Sequence, residues 1–232
     1  MIEMVAIAVH QIAATLFELD TSVHKNDGIT EWAPPKSDYR YWEWWHPDGP
    51  LPSLFHHDWY KDYDQYPRGV ADMVGYWAEA RILGGVVLFD RRNPGAEPTP
   101  DPDELDGFKA APTVDPDAIY LHPDRYQVTY RICQLLPEQR QALLNFLLAD
   151  ELPSENPIPI VPNQDNRIRV DPEESIRDTG IYRDLWERKD IPRNHSDARL
   201  RDVISSLDYP SLEDHFASRH RAFDRKRRIG YE

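Results

Sequence analysis

The side chains best suited to chemistry lie together in a stretch that is also rich in aromatic rings. His56, His57 and Asp58 are consecutive, and His46 precedes them. A histidine beside a carboxylate can serve as a general acid or base, because its ordinary pKa lies near neutral pH. Neighbouring side chains of an extended segment point to opposite sides, so only one of the two histidines would face a given site. We predict His56, His57 and Asp58 as candidate catalytic residues; hydrogen-bonded structural histidines are the alternative.

A second set of titratable groups recurs at helical spacing. Asp72, Tyr76 and Glu79 lie three and four residues apart and therefore share one face of a helix. Two carboxylates on a face can divide acid and base roles when their surroundings separate their pKa values. Two helical turns place Asp72 and Glu79 about 10 Å apart along the axis. Glu79 is therefore a further catalytic candidate, and an exposed polar helix face is the alternative.

Aromatic residues are concentrated around these groups. Six of the seven tryptophans lie between Trp32 and Trp77. Large flat rings beside titratable groups can line a ligand pocket, and they can equally form a core that is short of aliphatic side chains. The part from Val70 to Trp77 has helical spacing and is interpreted as core. Between residues 39 and 66 the rings have no helical order, which predicts these ligand-binding residues: Trp42, Trp44, Trp45, Trp59 and Tyr60.

Motifs for cofactors and metals are missing from the chain. It contains no glycine-rich dinucleotide or phosphate-binding motif, no Gly-x-Ser-x-Gly, and no metal-binding spacing of histidine and cysteine. We therefore predict neither a cofactor nor a metal.

His-Pro-Asp occurs at residues 46–48 and 122–124, and both copies are predicted to be turns in which the aspartate accepts hydrogen bonds from backbone N–H groups.

Composition limits the class of partner. The 232 residues carry a net charge of −14, which disfavours nucleic acids and anionic membranes over most of the surface. The single cysteine, Cys133, excludes an intrachain disulfide and favours a reducing compartment. Residues 1–14 make a poor signal peptide, and no stretch approaches the roughly 20 apolar residues of a membrane span. We predict a soluble cytoplasmic protein without a membrane partner.

The C-terminal segment departs from this acidic balance. Residues 216–232 carry six basic and two acidic side chains. This basic tail either folds back onto the acidic body or serves nuclear import or an anionic partner. Nuclear localisation therefore stays open beside the cytoplasmic prediction.

Periodicity and glycine positions predict the secondary structure. Residues 67–84 form the clearest helix, Gly84-Gly85 ends it, and the apolar run 86–89 is typical of a strand buried on both faces. Acidic, proline-rich residues 93–117 predict a loop. The remaining predicted helices are 2–19, 136–148, 173–189, 198–207 and 212–228. The remaining strands are 118–121 and 126–132, followed by a hairpin of 158–161 with 167–170.

These elements predict an α+β fold. A small mixed sheet surrounds a buried helix–strand unit at residues 68–90, with further helices and proline-rich loops around it. One domain covers residues 1–170 and includes the acidic loop. Residues 171–232 form a helical extension that packs on this domain and ends in the basic tail.

Two blocks of the chain resemble a known group of sequences. YPRGVADMVGYWAEARILGGVVLFDR at residues 66–91 is similar to a block in uncharacterised proteins of filamentous fungi, and YRICQLLPEQR at 130–140 is similar to the same group. The resemblance implies an intracellular eukaryotic origin. It implies no activity and assigns no site.

Three functions agree with these observations. The first is an intracellular binding protein with an aromatic-walled cleft for a small molecule or peptide. The second is a cofactor-independent hydrolase or isomerase that uses the histidines, Asp58 or Glu79 in the same cleft. The third is a structural partner in a complex, which would bind another protein through the acidic loop or the basic tail.

Overall fold

The computed structural model describes the main body of the chain. The described residues are 1–19, 45–46, 49–53, 55–93, 114–124, 131–151, 156–166, 168–170 and 175–189, with further positions at 35, 37, 129, 172, 211–213, 215–217 and 220. Trp42, Trp44, the side chain of Trp45, most of the predicted acidic loop, helix 198–207 and most of the basic tail lie outside this part.

Three long helices confirm predictions from the sequence. They are α1 (Ile2–Leu19), α2 (Val70–Leu83) and α3 (Pro137–Leu148). Helix α2 ends at Gly84, whose φ of 104° is left-handed and suits a glycine. Pro137 begins α3, where its missing N–H leaves no hydrogen bond unmade. A short helix, α4 (Ile176–Thr179), and a 3₁₀ turn at Tyr63–Gln65 complete the described helical elements.

Five strands form one sheet, which confirms the α+β class. The strands are β3 (Val86–Asp90), β4 (Ile119–His122), β5 (Ile132–Gln134), β6 (Arg169–Val170) and β7 (Ile181–Tyr182), in the spatial order β6-β5-β4-β3-β7. A separate ribbon pairs β1 (Trp45–His46) with β2 (Gly49–Pro50). Every pairing among the described strands is antiparallel, whereas a mixed sheet was expected. Strands β3 to β6 are neighbours in chain order, an arrangement that antiparallel pairing favours.

The central strand β3 is buried on both faces, as predicted. Val86 and Leu88 join one core cluster with Met73 and Tyr76 of α2. Val87, on the other face, joins a second cluster that includes side chains of α1 and α3. The alternation follows from strand geometry, in which successive side chains point to opposite faces.

Helix α1 packs on α2 through a narrow face. The buried side chains of α1 are Ile2, Ala6, His10 and Ala14. A Cβ at Gly75 of α2 would lie 2.7 Å from the His10 ring, so the glycine permits this close approach.

Among the described residues α1 is the one helix long and apolar enough, by length and composition alone, to cross a bilayer. That finding corrects the expectation that no stretch approaches such a span.

The predicted hairpin of 158–161 with 167–170 is wrong. Strand β6 pairs with β5 instead, with Ile132 opposite Val170. Residues 158–161 form no strand, and the Ile160 N–H donates to the Leu83 carbonyl oxygen at 2.8 Å. Most of the strand predicted at 126–132 lies outside the described residues; the described strand β5 begins at Ile132 and ends at Gln134.

The long helix predicted at 173–189 is also wrong. Helix α4 ends at Gly180, which has a left-handed φ of 65°. The next residues form β7, which pairs with β3 and places Ile181 opposite Asp90. Residues 181–182 are therefore an edge of the sheet, not a helical extension beyond residue 170.

Candidate functional site

A group of polar side chains from three segments meets at the end of β4. We call it the His56 cluster: His56, Asp58 and Lys61 from one loop, Arg81 from α2, and Asp124 after β4. Arg81 Nη2 lies 3.1 Å from Asp124 Oδ2, and Lys61 Nζ lies 3.5 Å from Asp58 Oδ1. His56 Nε2 lies 3.9 Å from the same Asp58 oxygen. The register that pairs Val86 with His122 brings Asp124 beside α2.

Two members of the His56 cluster have displaced pKa values. Burial, reinforced by the charge of Asp58, raises the pKa of Asp124 to about 6 against the opposing charge of Arg81. Burial and the charge of Lys61 lower the pKa of His56. Burial thus favours the neutral form of both groups, a protonated carboxyl for Asp124 and a neutral imidazole for His56. Such a division is the arrangement that acid–base chemistry requires.

Partly buried aromatic rings border the His56 cluster. Phe55 and Trp77 have ring centroids 4.8 Å apart, and Trp77 lies one helical turn before Arg81. The Trp59 ring lies 5.9 Å from that of His122. Tyr60, predicted as a ligand-binding residue, is instead fully buried in the core. Its hydroxyl lies 3.2 Å from His122 Nδ1.

His57 is fully buried and holds its own loop against β4. The Trp59 backbone N–H donates to His57 Nδ1 at 3.1 Å, so Nδ1 must be the acceptor and Nε2 carries the proton. That proton is donated to the His122 carbonyl oxygen at 3.1 Å. Burial lowers the pKa of His57 to about 4, which keeps this neutral tautomer. With both ring nitrogens engaged, the His57 ring links the loop to the sheet.

Glu79 belongs to a different group of side chains, which we call the buried ion network. Its members are His10, Asp72, Glu79, Arg183 and Glu187. Arg183 Nη1 lies 2.8 Å from both Glu79 carboxylate oxygens, and the Val87 N–H donates to one of them. His10 Nε2 lies 3.1 Å from Asp72 Oδ1, and His10 Nδ1 lies 3.7 Å from Glu79 Oε2. The network joins α1, α2 and the segment after β7.

Burial decides the character of this network. Asp72, Tyr76 and Glu79 do share one face of α2, but the alternative of an exposed polar face is wrong, because all three are buried. Burial opposes the charged form of His10, yet hydrogen bonds with Asp72 and Glu79 outweigh it and raise the pKa of His10. Burial also raises the pKa of Glu187.

The structure does not bring Glu79 together with the histidine candidates. Successive helical residues are rotated by about 100°, so Trp77 and Arg81 lie on the side of α2 roughly opposite Glu79. The His56 cluster unites His56 and Asp58, with Trp59 at its edge. Sequence reasoning missed Lys61, Arg81 and Asp124 there. The one available signal was the second His-Pro-Asp, which was interpreted as a turn; Asp124 does accept a hydrogen bond from the backbone of Asp58.

The chemistry available at the site is that of its own side chains. Across the described ranges, no three histidine, cysteine or acidic side chains are grouped as a metal site would require. Comparison with protein-family models, curated proteins and solved structures found no match to this chain.

Proposed function

We propose that the protein binds a small molecule or peptide at the His56 cluster. The observation that supports this most directly is the border of partly buried rings, Phe55, Trp59 and Trp77, beside a compact set of polar groups. Ligand sites typically combine apolar and aromatic walls with a few polar groups that fix orientation.

The polar groups indicate which ligands to test. Asp58 and Asp124 accept hydrogen bonds, and Lys61 and Arg81 donate them, so the cluster offers both charges within a small area. A neutral ligand with hydroxyl or amide groups and one flat or apolar face matches that mixture better than a strongly charged ligand. Sugars, small aromatic compounds and short peptides meet this description.

The test is a titration of such compounds followed by tryptophan fluorescence. A ligand at the His56 cluster should change the emission of the wild-type protein, and Trp59→Phe or Trp77→Phe should reduce that change and weaken binding. Trp186→Phe is the matched control, because Trp186 is a surface-exposed ring elsewhere on the body. If no compound perturbs the emission, or if Trp186→Phe removes the response as fully as Trp59→Phe, the site is wrong.

The pKa of Asp124 favours a second candidate function, a cofactor-independent hydrolase or isomerase. Protonated Asp124 would donate a proton and neutral His56 would accept one. Once a ligand that turns over is found, Asp124→Asn should lower kcat at least about a hundredfold while leaving KM little changed. Activity should fall as pH rises above about 6, where Asp124 ionises. Asp117→Asn, which alters an exposed carboxyl, is the control. If Asp124→Asn keeps full activity, this function is excluded.

A further inference from the structure

The outer face of α1 is apolar although the helix is already packed on its opposite side. Met4, Ala8, Ile12 and Leu16 follow one another at intervals of four residues, and all four are exposed. The exposed fraction is 74% for Met4, 60% for Ile12 and 61% for Leu16. We call these four residues the outer stripe. A continuous apolar row of this kind on a body of net charge −14 needs an occupant.

Charge distinguishes the possible occupants. The outer stripe contains no charged side chain, and α1 as a whole contains no lysine or arginine. Helices that lie on membranes normally carry basic residues along their polar face, and this acidic body would be repelled by anionic lipid. The two carboxylates of α1 are neutralised within the chain, since Glu3 pairs with Arg91 and Glu18 with Arg68. A second copy of this acidic chain would meet the least electrostatic repulsion at an uncharged surface.

The spacing of the outer stripe is self-complementary. Its members are symmetric about position 10, so an antiparallel second copy would place Met4 opposite the second copy's Leu16, and Ala8 opposite the second copy's Ile12. The large side chain of each central pair meets a small one, which permits close approach of the two helices. A two-fold interface requires this property, because the same patch must fit itself.

We infer that the outer stripe is the interface of a homodimer in which α1 packs antiparallel against α1 of a second copy. The interface lies on the opposite side of α1 from α2 and uses no residue of the His56 cluster. Dimerisation through it would cover Met4, Ile12 and Leu16 without disturbing the contact between His10 and Asp72.

The first experiment measures the mass of the full chain in solution. Sedimentation and light scattering over a range of concentrations should show a dimer of the 27.1 kDa chain. Ile12→Glu should weaken self-association at least about tenfold. Leu148→Glu is the matched control, since Leu148 is as exposed on α3 and lies outside the stripe. Circular dichroism should show unchanged helix content for both variants.

The second experiment tests the antiparallel register. A mixture of Ala8→Cys and Ile12→Cys chains should form a disulfide-linked dimer faster than either variant alone, because the two positions face each other across the interface. Met4 or Leu16 need not be altered, so the ends of the stripe stay intact.

Four results would overturn the inference or its antiparallel register. The chain could be monomeric at all concentrations, or its dimer could survive Ile12→Glu. A monomer that binds neutral phosphatidylcholine vesicles, and loses that binding in Ile12→Glu, would assign the stripe to a bilayer instead. Within a confirmed dimer, faster cross-linking of either cysteine variant alone would refute the antiparallel register.

Discussion

Asp124 of the His56 cluster has an unusual environment for a carboxyl group. Its carboxyl group is largely buried and lies near the charge of Asp58, and these effects outweigh the attraction of Arg81. The pKa of about 6 compares with 3.8 for the same group in its ordinary state. A carboxyl group whose folded pKa is raised is tolerated in its neutral form and destabilises the fold when it ionises.

This difference predicts how Asp124→Asn changes stability with pH. Between about pH 4 and pH 6 the folded state holds a proton that the unfolded state has lost, so wild-type stability falls as pH rises through that range. The amide cannot ionise. We therefore expect Asp124→Asn to raise the free energy of unfolding by roughly 1 kcal/mol or more at pH 7 and to leave it almost unchanged at pH 4.

Urea denaturation at the two pH values measures the effect. Asp117→Asn, an exposed carboxyl before β4, is the control and should change the free energy of unfolding by less than about 0.5 kcal/mol. If the wild-type and Asp124→Asn stabilities differ by the same amount at pH 4 and pH 7, the carboxyl does not titrate near pH 6.

At the scale of elements, local signals predicted what local geometry determines. Helix α1 has a wide apolar face, α2 ends where Gly84 adopts the left-handed conformation, and β3 is a short apolar run after it. These features depend only on neighbouring residues. The predicted helix at 173–189 failed because Gly180 ends α4 and β7 pairs with β3, far earlier in the chain. Such pairing leaves no periodic signal in the segment that makes it.

The difference between local signals and contacts of distant segments also explains which parts of the candidate sites could be predicted. Helical spacing correctly placed Asp72, Tyr76 and Glu79 on one face, but whether that face meets water depends on α1 and on Arg183. His56 and Asp58 are neighbours in sequence, so their proximity was predictable. Asp124 joins them through the pairing of β4 with β3, which no spacing within 122–124 reveals.

At the scale of the whole molecule, the buried ion network fastens three distant parts of the chain. Arg183, just after β7, pairs with Glu79 of α2, and His10 of α1 completes the connection. Glu187 accepts hydrogen bonds from the backbone N–H groups of Arg183 and Asp184, while Tyr66 donates to the Glu187 carbonyl oxygen. The segment at 181–189 is therefore held by the interior of the body and not only by strand pairing.

Removing one partner of the central pair should consequently destabilise the whole fold. In Arg183→Met the carboxylate of Glu79 loses its guanidinium while remaining buried, and breaking a buried ion pair in this way costs about 3–5 kcal/mol. The double variant Glu79→Gln with Arg183→Met removes the stranded charge and should recover part of that loss. Arg177→Met, an exposed arginine of α4, should change the free energy of unfolding by less than about 0.5 kcal/mol. Urea unfolding at pH 7 measures all three, and an Arg183→Met loss no larger than that of Arg177→Met would show that packing and strand pairing alone hold the segment to the body.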